Sequence, residues 1–163
     1  MHDSSSVTYP VFTAIAAPEV QNKLNGDFAI IAGPYLQNLA TGGCELDYTL
    51  TFVSEKFISI VFFGVLDEGE KEIFAKIPLN IDVQTGAQLA LGDVLNLRDA
   101  DLLPVLRLLT KKDMVDFSKG IPESWYYNGT NFVFCQRSET GEWLEATVAA
   151  SDLKKFLLKP ELF

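Results

Sequence analysis

The chain has 163 residues, of which 48% are hydrophobic and 21% charged, as expected of a globular protein that folds by itself. Its 13 lysine and arginine residues against 22 aspartate and glutamate residues give a net charge of −9. This charge repels phosphate backbones and argues against nucleic-acid binding. No apolar run approaches the roughly 20 residues that a membrane helix needs, so we expect no direct membrane insertion of this segment.

Residues 1–5 are expected to form a disordered tail, and the first regular element is predicted over residues 6–16. The opening MHDSSSVTYP lacks both the basic and the apolar region of a signal peptide. Either the protein stays inside the cell or that segment was removed. Residues 6–16 are rich in β-branched and aromatic side chains and predict a strand, in which Pro10 favours an edge position or a bulge.

A helix is predicted to begin at Pro18, a favourable first residue. Apolar residues then recur at three- and four-residue spacing, which places them on one helical face: Val20, Leu24, Phe28 and Ile31. Gly33 and Pro34 are expected to break or kink this helix.

Three strands with short connections are predicted next, over residues 45–55, 57–66 and 71–83. In the first strand, apolar side chains alternate with polar ones, which predicts one buried face and one solvent-exposed face. The apolar positions are Leu46, Tyr48, Leu50 and Phe52. The simplest arrangement of the three is an antiparallel meander.

The sequence pattern in the second half of the chain predicts one helix, then a hairpin and a strand, and then a last helix. Asp101 can cap a leucine-striped helix, and Asn128-Gly129 marks a hairpin followed by a strand over residues 143–150. Ser151 is expected to cap a last helix, which Pro160 ends.

This order of elements lacks the regular alternation of a parallel sheet and predicts the α+β class, mainly an antiparallel sheet with helices packed on it. We expect one domain over residues 6–163, with an N-terminal half of about 6–66 and a C-terminal half of about 67–163. Two small α/β lobes are the alternative arrangement.

The stretch NIDVQTGAQLALGDVLN, residues 80–96, raises the question of a ligand-cradling loop. Its two glycines have the wrong spacing for a phosphate-binding loop, and no lysine follows. Turn chemistry explains it better, because Gly86 can adopt positive φ after Thr85 and Asp93 can cap a short helical turn.

The string Asn80-x-Asp82-x-x-Thr85-Gly86-x-x-Leu89-x-Leu91-x-Asp93 resembles a segment of the bacterial domain family found in the anti-sigma factor RsiV and ahead of the catalytic domain of the peptidoglycan deacetylase PdaC. Tyr9-Pro10-x-Phe12 followed by a helix with Asn25 is similar to the opening half of that family, and residues 132–157 are similar to its closing strands and helix. Together the three pieces span nearly the whole chain.

The resemblance implies an α+β domain of the bacterial cell envelope, usually exported or tethered to a membrane. Relatives sense or hold cell-wall-related proteins rather than catalyse, and in RsiV the corresponding domain binds lysozyme. Relatives often have a Gly-Gly-Ala-His-like segment before the Asn-x-Asp string, whereas the segment EGEKEIFAKIPLNID has no histidine. The role of that segment therefore does not carry over.

We therefore expect a non-enzymatic binding or sensing module that recognises a protein or a cell-wall-related ligand. It would be located outside the cytoplasm, with the native signal or anchor missing from this chain. The alternatives are a carboxylate-based glycan-acting enzyme and a purely structural domain of a larger envelope protein. We predict no cofactor.

Ionisable residues indicate no catalytic or metal site. His2 is the only histidine, which removes Ser-His and Cys-His pairs and most zinc sites. Two sets of acidic residues have a functional alternative, although solvated turns explain both. Glycan hydrolysis could use Glu139, Glu142 and Glu145. Calcium could be bound by Asp67, Glu68, Glu70 and Glu72. Asp99 and Asp101 are interpreted as helix-capping residues.

Four aromatic residues could contact a ligand if exposed, whereas burial in a sheet core is the more ordinary role: Trp125, Tyr126, Tyr127 and Trp143. Cys44 and Cys135 are too few and too far apart in sequence for a zinc site. In an oxidising compartment they could form a disulfide.

Overall fold

The computed structural model describes residues 5–40, 42–67 and 71–163, and their fold is α+β, as the sequence predicts. Two sheets contain the strands β1 (Ser6–Val7), β2 (Cys44–Val53), β3 (Phe57–Asp67), β4 (Glu72–Asp82), β5 (Ala87–Gln88), β6 (Ser124–Tyr127), β7 (Asn131–Arg137) and β8 (Trp143–Ala149). The first sheet has the order β1-β2-β3-β4-β5 and is antiparallel except for β1 beside β2. The second sheet is antiparallel with the order β6-β7-β8.

The helical elements cover the sheets from several sides. They are the α-helices α1 (Pro18–Asn38), α2 (Leu91–Val94) and α3 (Leu102–Leu109), and the 3-10 helices Phe117–Lys119, Ala150–Phe156 and Pro160–Leu162. The first sheet takes strands from both predicted halves of the chain, and the expected tail lies outside the described residues except for Ser5. Within the described ranges, no helix is both long and apolar enough to span a membrane.

Helix α1 covers one face of the first sheet and forms a first hydrophobic core with it. Of the two expected effects of Gly33 and Pro34, the break is wrong, because the helix continues to Asn38, whereas the kink stays a prediction. Tyr35, directly after Pro34, is buried, and its ring fills the space above Gly64 of β3, where a Cβ atom would overlap the tyrosine hydroxyl. This packing outweighs the hydrogen bond that a helical proline cannot donate.

The predicted strand over residues 6–16 is much shorter, since only Ser6–Val7 pairs with β2. Beyond it, side-chain amides of α1 satisfy the backbone instead of a neighbouring strand. Asn25 Oδ1 accepts from Phe12 N at 2.8 Å, Asn25 Nδ2 donates to Phe12 O at 2.9 Å, and Gln21 Oε1 accepts from Ile15 N at 3.1 Å. These hydrogen bonds therefore hold the segment along α1.

The predicted meander is confirmed as β2, β3 and β4, with one irregularity. The register of β2 shifts between Leu50 and Phe52, which is a β-bulge that reverses the alternation of side chains. Leu50, which pairs with Ile60 before the shift, is exposed, whereas Phe52, which pairs with Ser59 after it, packs its ring against Phe57 and Tyr127 in the second core. The expectation that Leu50 and Phe52 share one buried face is wrong.

The second core lies between the second sheet, α2, α3 and the last 3-10 helices. Five aromatic rings pack together there with centroids 4.8 to 6.4 Å apart: Phe57, Trp125, Tyr127, Phe132 and Phe163. The predicted hairpin at Asn128-Gly129 and the strand after it are confirmed as β6, β7 and β8.

Two predicted helix caps are wrong. The Asp101 carboxylate makes no cap hydrogen bond to α3 and instead lies 3.2 Å from Lys155 Nζ. Asp99 Oδ1 accepts from the backbone N–H of Asp101 at 2.9 Å, which leaves the start of α3 to backbone bonds.

The last predicted α-helix is a 3-10 helix that begins at Ala150, so Ser151 lies inside it, and Pro160 begins a further 3-10 turn rather than ending a helix. The backbone around Leu157 pairs with the segment around Leu95, which prevents the helix from continuing.

Candidate functional site

A row of polar side chains on the first sheet joins it to the second sheet. Asn80 is buried; its Nδ2 donates to Trp125 O at 2.7 Å, and its Oδ1 accepts from Ser59 Oγ at 2.7 Å. Ser59 Oγ in turn accepts from Tyr127 N at 2.9 Å, and Thr51 Oγ1 donates to Tyr127 O at 2.7 Å. The outer edge of β6 is thus hydrogen-bonded to one face of the first sheet.

The other polar residues of the 80–93 motif bond the chain to itself. Asp82 Oδ1 accepts from the backbone N–H groups two and three residues later, at 2.9 and 3.3 Å, and Gly86 closes the turn with φ of +67°. Thr85 Oγ1 accepts from the N–H two residues on at 3.2 Å, and Asp93 Oδ2 accepts from Ala90 N at 2.8 Å. This hydrogen bonding is that of a turn and a helix start.

The face of the first sheet opposite α1 forms the floor of a groove of about 430 Å³. Because Phe62 and Gly64 face α1, the alternation of β3 turns Phe63 to the opposite side. The strand registers arrange six side chains on this side in two rows: Asp47, Phe63 and Lys76, and Glu45, Val65 and Phe74. Phe63 and Phe74 are 45% and 51% exposed, so the floor is aromatic and open to solvent.

An ion pair closes the end of the groove toward the second sheet. Lys76 Nζ of β4 pairs with Glu145 Oε1 of β8, and Tyr126 Oη donates to the same oxygen at 3.0 Å. The Lys76 ammonium also lies 5.6 Å from the centroid of the Phe63 ring and 5.4 Å from that of the Tyr126 ring. The carboxylate and the two ring faces compensate an ammonium that keeps little contact with water.

Two side chains near this ion pair, Tyr126 and Cys135, have raised pKa values. Burial raises the pKa of Tyr126, and the negative charge of Glu145 raises it further. Burial also raises the pKa of Cys135 to about 12, an effect that Lys76 opposes and Glu145 reinforces. The phenol and the thiol are therefore both protonated at neutral pH, and neither supplies a base or a thiolate nucleophile.

Trp143 of β8 lines the groove opposite the aromatic floor. Its indole Nε1–H is buried and finds no hydrogen-bond partner among the described residues. A buried donor without a partner costs about 1–3 kcal/mol.

The four aromatic residues singled out from the sequence divide between two environments. Trp125 and Tyr127 are buried in the second core, whereas Tyr126 and Trp143 lie on the outer face of the second sheet beside the groove. Sequence reasoning missed Phe63, Phe74 and Lys76. The adjacent Phe62 and Phe63 were the available signal, since a strand must turn one of two neighbouring residues to each face.

Cys44 and Cys135 are both free and buried, so the structure does not contain the disulfide that export would allow. Cys44 lies on the α1 side of the first sheet, where its Sγ donates to Tyr35 O at 3.2 Å. Cys135 belongs to the second sheet, with its Sγ 3.9 Å from Glu145 Oε1. The two thiols thus occupy different layers of the fold.

The acidic residues named from the sequence do not share one site. Glu139 lies 3.6 Å from Lys119, Glu142 is exposed, and Glu145 pairs with Lys76. Asp67 and Glu72 end and begin neighbouring strands. Glu68, Glu70 and His2 lie outside the described residues. In the described part of the chain, no three His, Cys, Asp or Glu side chains are grouped so that they could hold a metal ion.

Comparison with known proteins identifies the fold. No protein-family model and no curated protein matches the sequence. The structure is similar to a DUF3298 family protein from Pseudomonas aeruginosa PAO1, with 14% identity, a TM-score of 0.60 and coverage of 89% of this chain and 83% of that one. It is also similar to a DUF3298 family member from Bacteroides fragilis NCTC 9343, with 13% identity, a TM-score of 0.54 and coverage of 85% and 65%. The chain therefore has the fold of this bacterial domain of unknown function.

Proposed function

We propose that this chain is a non-enzymatic binding or sensing module of the bacterial cell envelope, and that the groove holds its ligand, a protein or a cell-wall-related molecule. One observation carries the proposal. Two exposed phenylalanines line the groove together with Trp143, whose buried indole N–H has no hydrogen-bond partner among the described residues. Exposed aromatic surface next to an unsatisfied donor is typical of a surface that a ligand covers.

The sequence resemblance supports the cellular setting of the proposal. The 80–93 motif and the closing strands are similar to the domain of RsiV and PdaC, whose relatives sense or hold cell-wall-related proteins outside the cytoplasm. The shared fold with bacterial DUF3298 proteins agrees with a bacterial origin of the domain. We therefore propose an extracytoplasmic location.

The chemistry at the closed end of the groove supports binding over catalysis. The Glu145 carboxylate is already engaged by Lys76 and Tyr126, and the raised pKa values of Tyr126 and Cys135 keep both groups protonated. Glu145 is therefore not the free carboxylate that one member of a glycan-acting pair must be.

Nuclear magnetic resonance can test the proposal, because the chain has two indole N–H groups in different environments. Trp125 is in the core, whereas Trp143 lines the groove. Lysozyme and soluble peptidoglycan fragments represent the two proposed ligand classes, and we expect one of the two to shift the Trp143 indole signal and leave that of Trp125 in place. A Trp143→Phe variant assigns the two signals.

Matched variants locate the binding site. Phe74→Ser should weaken binding by about tenfold or more, since burying an aromatic ring contributes about 1.5–3 kcal/mol. Leu108→Ser on α3, where Leu108 is similarly exposed, should leave the affinity unchanged. Peptidoglycan turnover that disappears in Glu145→Gln would instead make the protein an enzyme and refute the proposal.

A further inference from the structure

We propose that the occupant of the groove is a basic and apolar peptide segment of a partner protein, in extended conformation, rather than a glycan. This inference rests on the proposed function and assigns its ligand class. Three features of the groove carry it: two carboxylates and one buried indole N–H that have no ion-pair or hydrogen-bond partner side chain among the described residues, and an apolar floor with the same spacing as the carboxylates.

The first feature is the acidic side of the groove. Glu45 and Asp47 occupy alternate positions of β2 and therefore share the open face of the sheet. In the described part of the chain, neither carboxylate forms an ion pair with a lysine or arginine. Among the described residues that line the groove, Lys76 is the one cation, and it is already paired with Glu145. A ligand with positive charge compensates this arrangement, and an anionic one is repelled.

The second feature is the match of spacing between the acidic side and the floor. Glu45 lies opposite Val65, and Asp47 lies opposite Phe63, so each carboxylate stands beside an apolar side chain of β3. Alternate residues of an extended peptide are separated by about 6.6 Å, the same repeat as that of the strand beneath. Lysine or arginine side chains at alternate positions could lay their methylene groups on the floor and place their charges at the carboxylates.

The third feature is the donor on the opposite side. The Trp143 Nε1–H is buried without a partner among the described residues, so a ligand reaches it only when the indole turns toward the groove. A peptide backbone then offers it a carbonyl oxygen at each residue. Cell-wall glycans offer hydroxyl oxygens to this donor as well, but their carboxylate groups would approach Glu45 and Asp47 with the same sign of charge. The negative charges of Glu45 and Asp47 therefore favour a basic peptide over a glycan that carries carboxylates.

Three probes distinguish the ligand classes: a synthetic octapeptide that alternates lysine and phenylalanine, its glutamate–phenylalanine counterpart, and soluble peptidoglycan fragments. We expect only the lysine peptide to shift the Trp143 indole signal. The Glu45→Gln/Asp47→Asn double variant should weaken this binding by about tenfold or more. Asn retains the acceptor that Asp47 Oδ1 offers to Tyr48 N at 2.8 Å, so the strand should stay intact.

Glu55→Gln is the matched control, because it removes one exposed negative charge from the β2–β3 turn. Its affinity for the lysine peptide should stay within about twofold of the parent. Equal weakening by Glu55→Gln and by the double variant would mean general charge attraction and overturn the inference. Should the double variant unfold, Asp47→Asn alone provides the same comparison at an exposed position.

The remaining outcomes separate this inference from the proposed function. A shift of the Trp143 signal by peptidoglycan fragments, with none by the lysine peptide, overturns the peptide inference and leaves the binding module in place. If neither the three probes nor lysozyme shifts the Trp143 signal, the peptide inference and the proposed function are both overturned, since the groove would then bind none of the proposed ligand classes.

Discussion

Replacing Asn80 with alanine should strongly destabilise the protein, because this amide joins the two sheets. The change removes a donor to Trp125 O and an acceptor for Ser59 Oγ, both at 2.7 Å in a buried environment. Each hydrogen bond contributes about 1 kcal/mol, and a buried carbonyl left without a donor costs about 1–3 kcal/mol more. Since the serine hydroxyl can rotate toward another acceptor, we expect a total loss of about 2–4 kcal/mol in the free energy of unfolding.

Urea unfolding followed by circular dichroism measures this loss, and thermal melting should show a decrease of about 5–15 °C for a chain of this size. Asn22→Ala is the control, since Asn22 is an exposed residue of α1, and its effect should stay within about 0.5 kcal/mol. A Ser59→Ala/Asn80→Ala double variant should lose less than the sum of the single losses, because both belong to one network. If Asn80→Ala unfolds at the same urea concentration as Asn22→Ala, the two sheets are held together by other contacts and our reasoning is wrong.

Three further predictions concern other parts of the fold. Gly86→Val and Asp93→Ala should each lower the free energy of unfolding by about 1 kcal/mol. Valine is strained at the φ of +67° that Gly86 adopts, and alanine at position 93 leaves the Ala90 N–H without its acceptor. A melting temperature of Asp93→Ala equal to that of the parent would contradict the capping role. Gly64→Ala should cost about 2 kcal/mol or more in the same measurement, since the new Cβ overlaps the tyrosine of α1. The free energy of unfolding should decrease as pH rises from 9 toward 12, because the pKa of the Cys135 thiol is 9.0 in the unfolded chain and about 12 in the folded protein. Urea titrations across this pH range should show a smaller decrease for Cys135→Ala.

Sequence pattern was informative where structure depends on neighbouring residues. The meander β2–β4 and the hairpin at Asn128-Gly129 followed from alternation and turn chemistry within short windows. The strand over residues 6–16 failed because the Asn25 amide, 13 residues beyond Phe12, takes the backbone bonds that a strand partner would have used. No local pattern reports such a partner.

The groove could not have been derived from the sequence for a related reason. Phe62 and Phe63 belong to one continuous apolar run, and nothing in that run indicates which face α1 covers. Only the docking of the helix leaves Phe63 exposed, and only the attachment of β6 brings Glu145 to Lys76. The motif that was visible in the sequence, by contrast, supplies turns and the link between the sheets.

The hydrogen bonds that attach β6 also bear on self-association. Edge strands with unbonded N–H and C=O groups invite pairing with another molecule and start aggregation. In the second sheet, the outer edge of β6 is occupied by side chains of the first sheet, and on the opposite edge Thr147 N of β8 lies 3.3 Å from the acceptor Asp113 Oδ2. These contacts occupy the outer edge of β6 and one backbone group on the outer edge of β8, so fewer groups of the aromatic-rich hairpin are left to pair with a second chain.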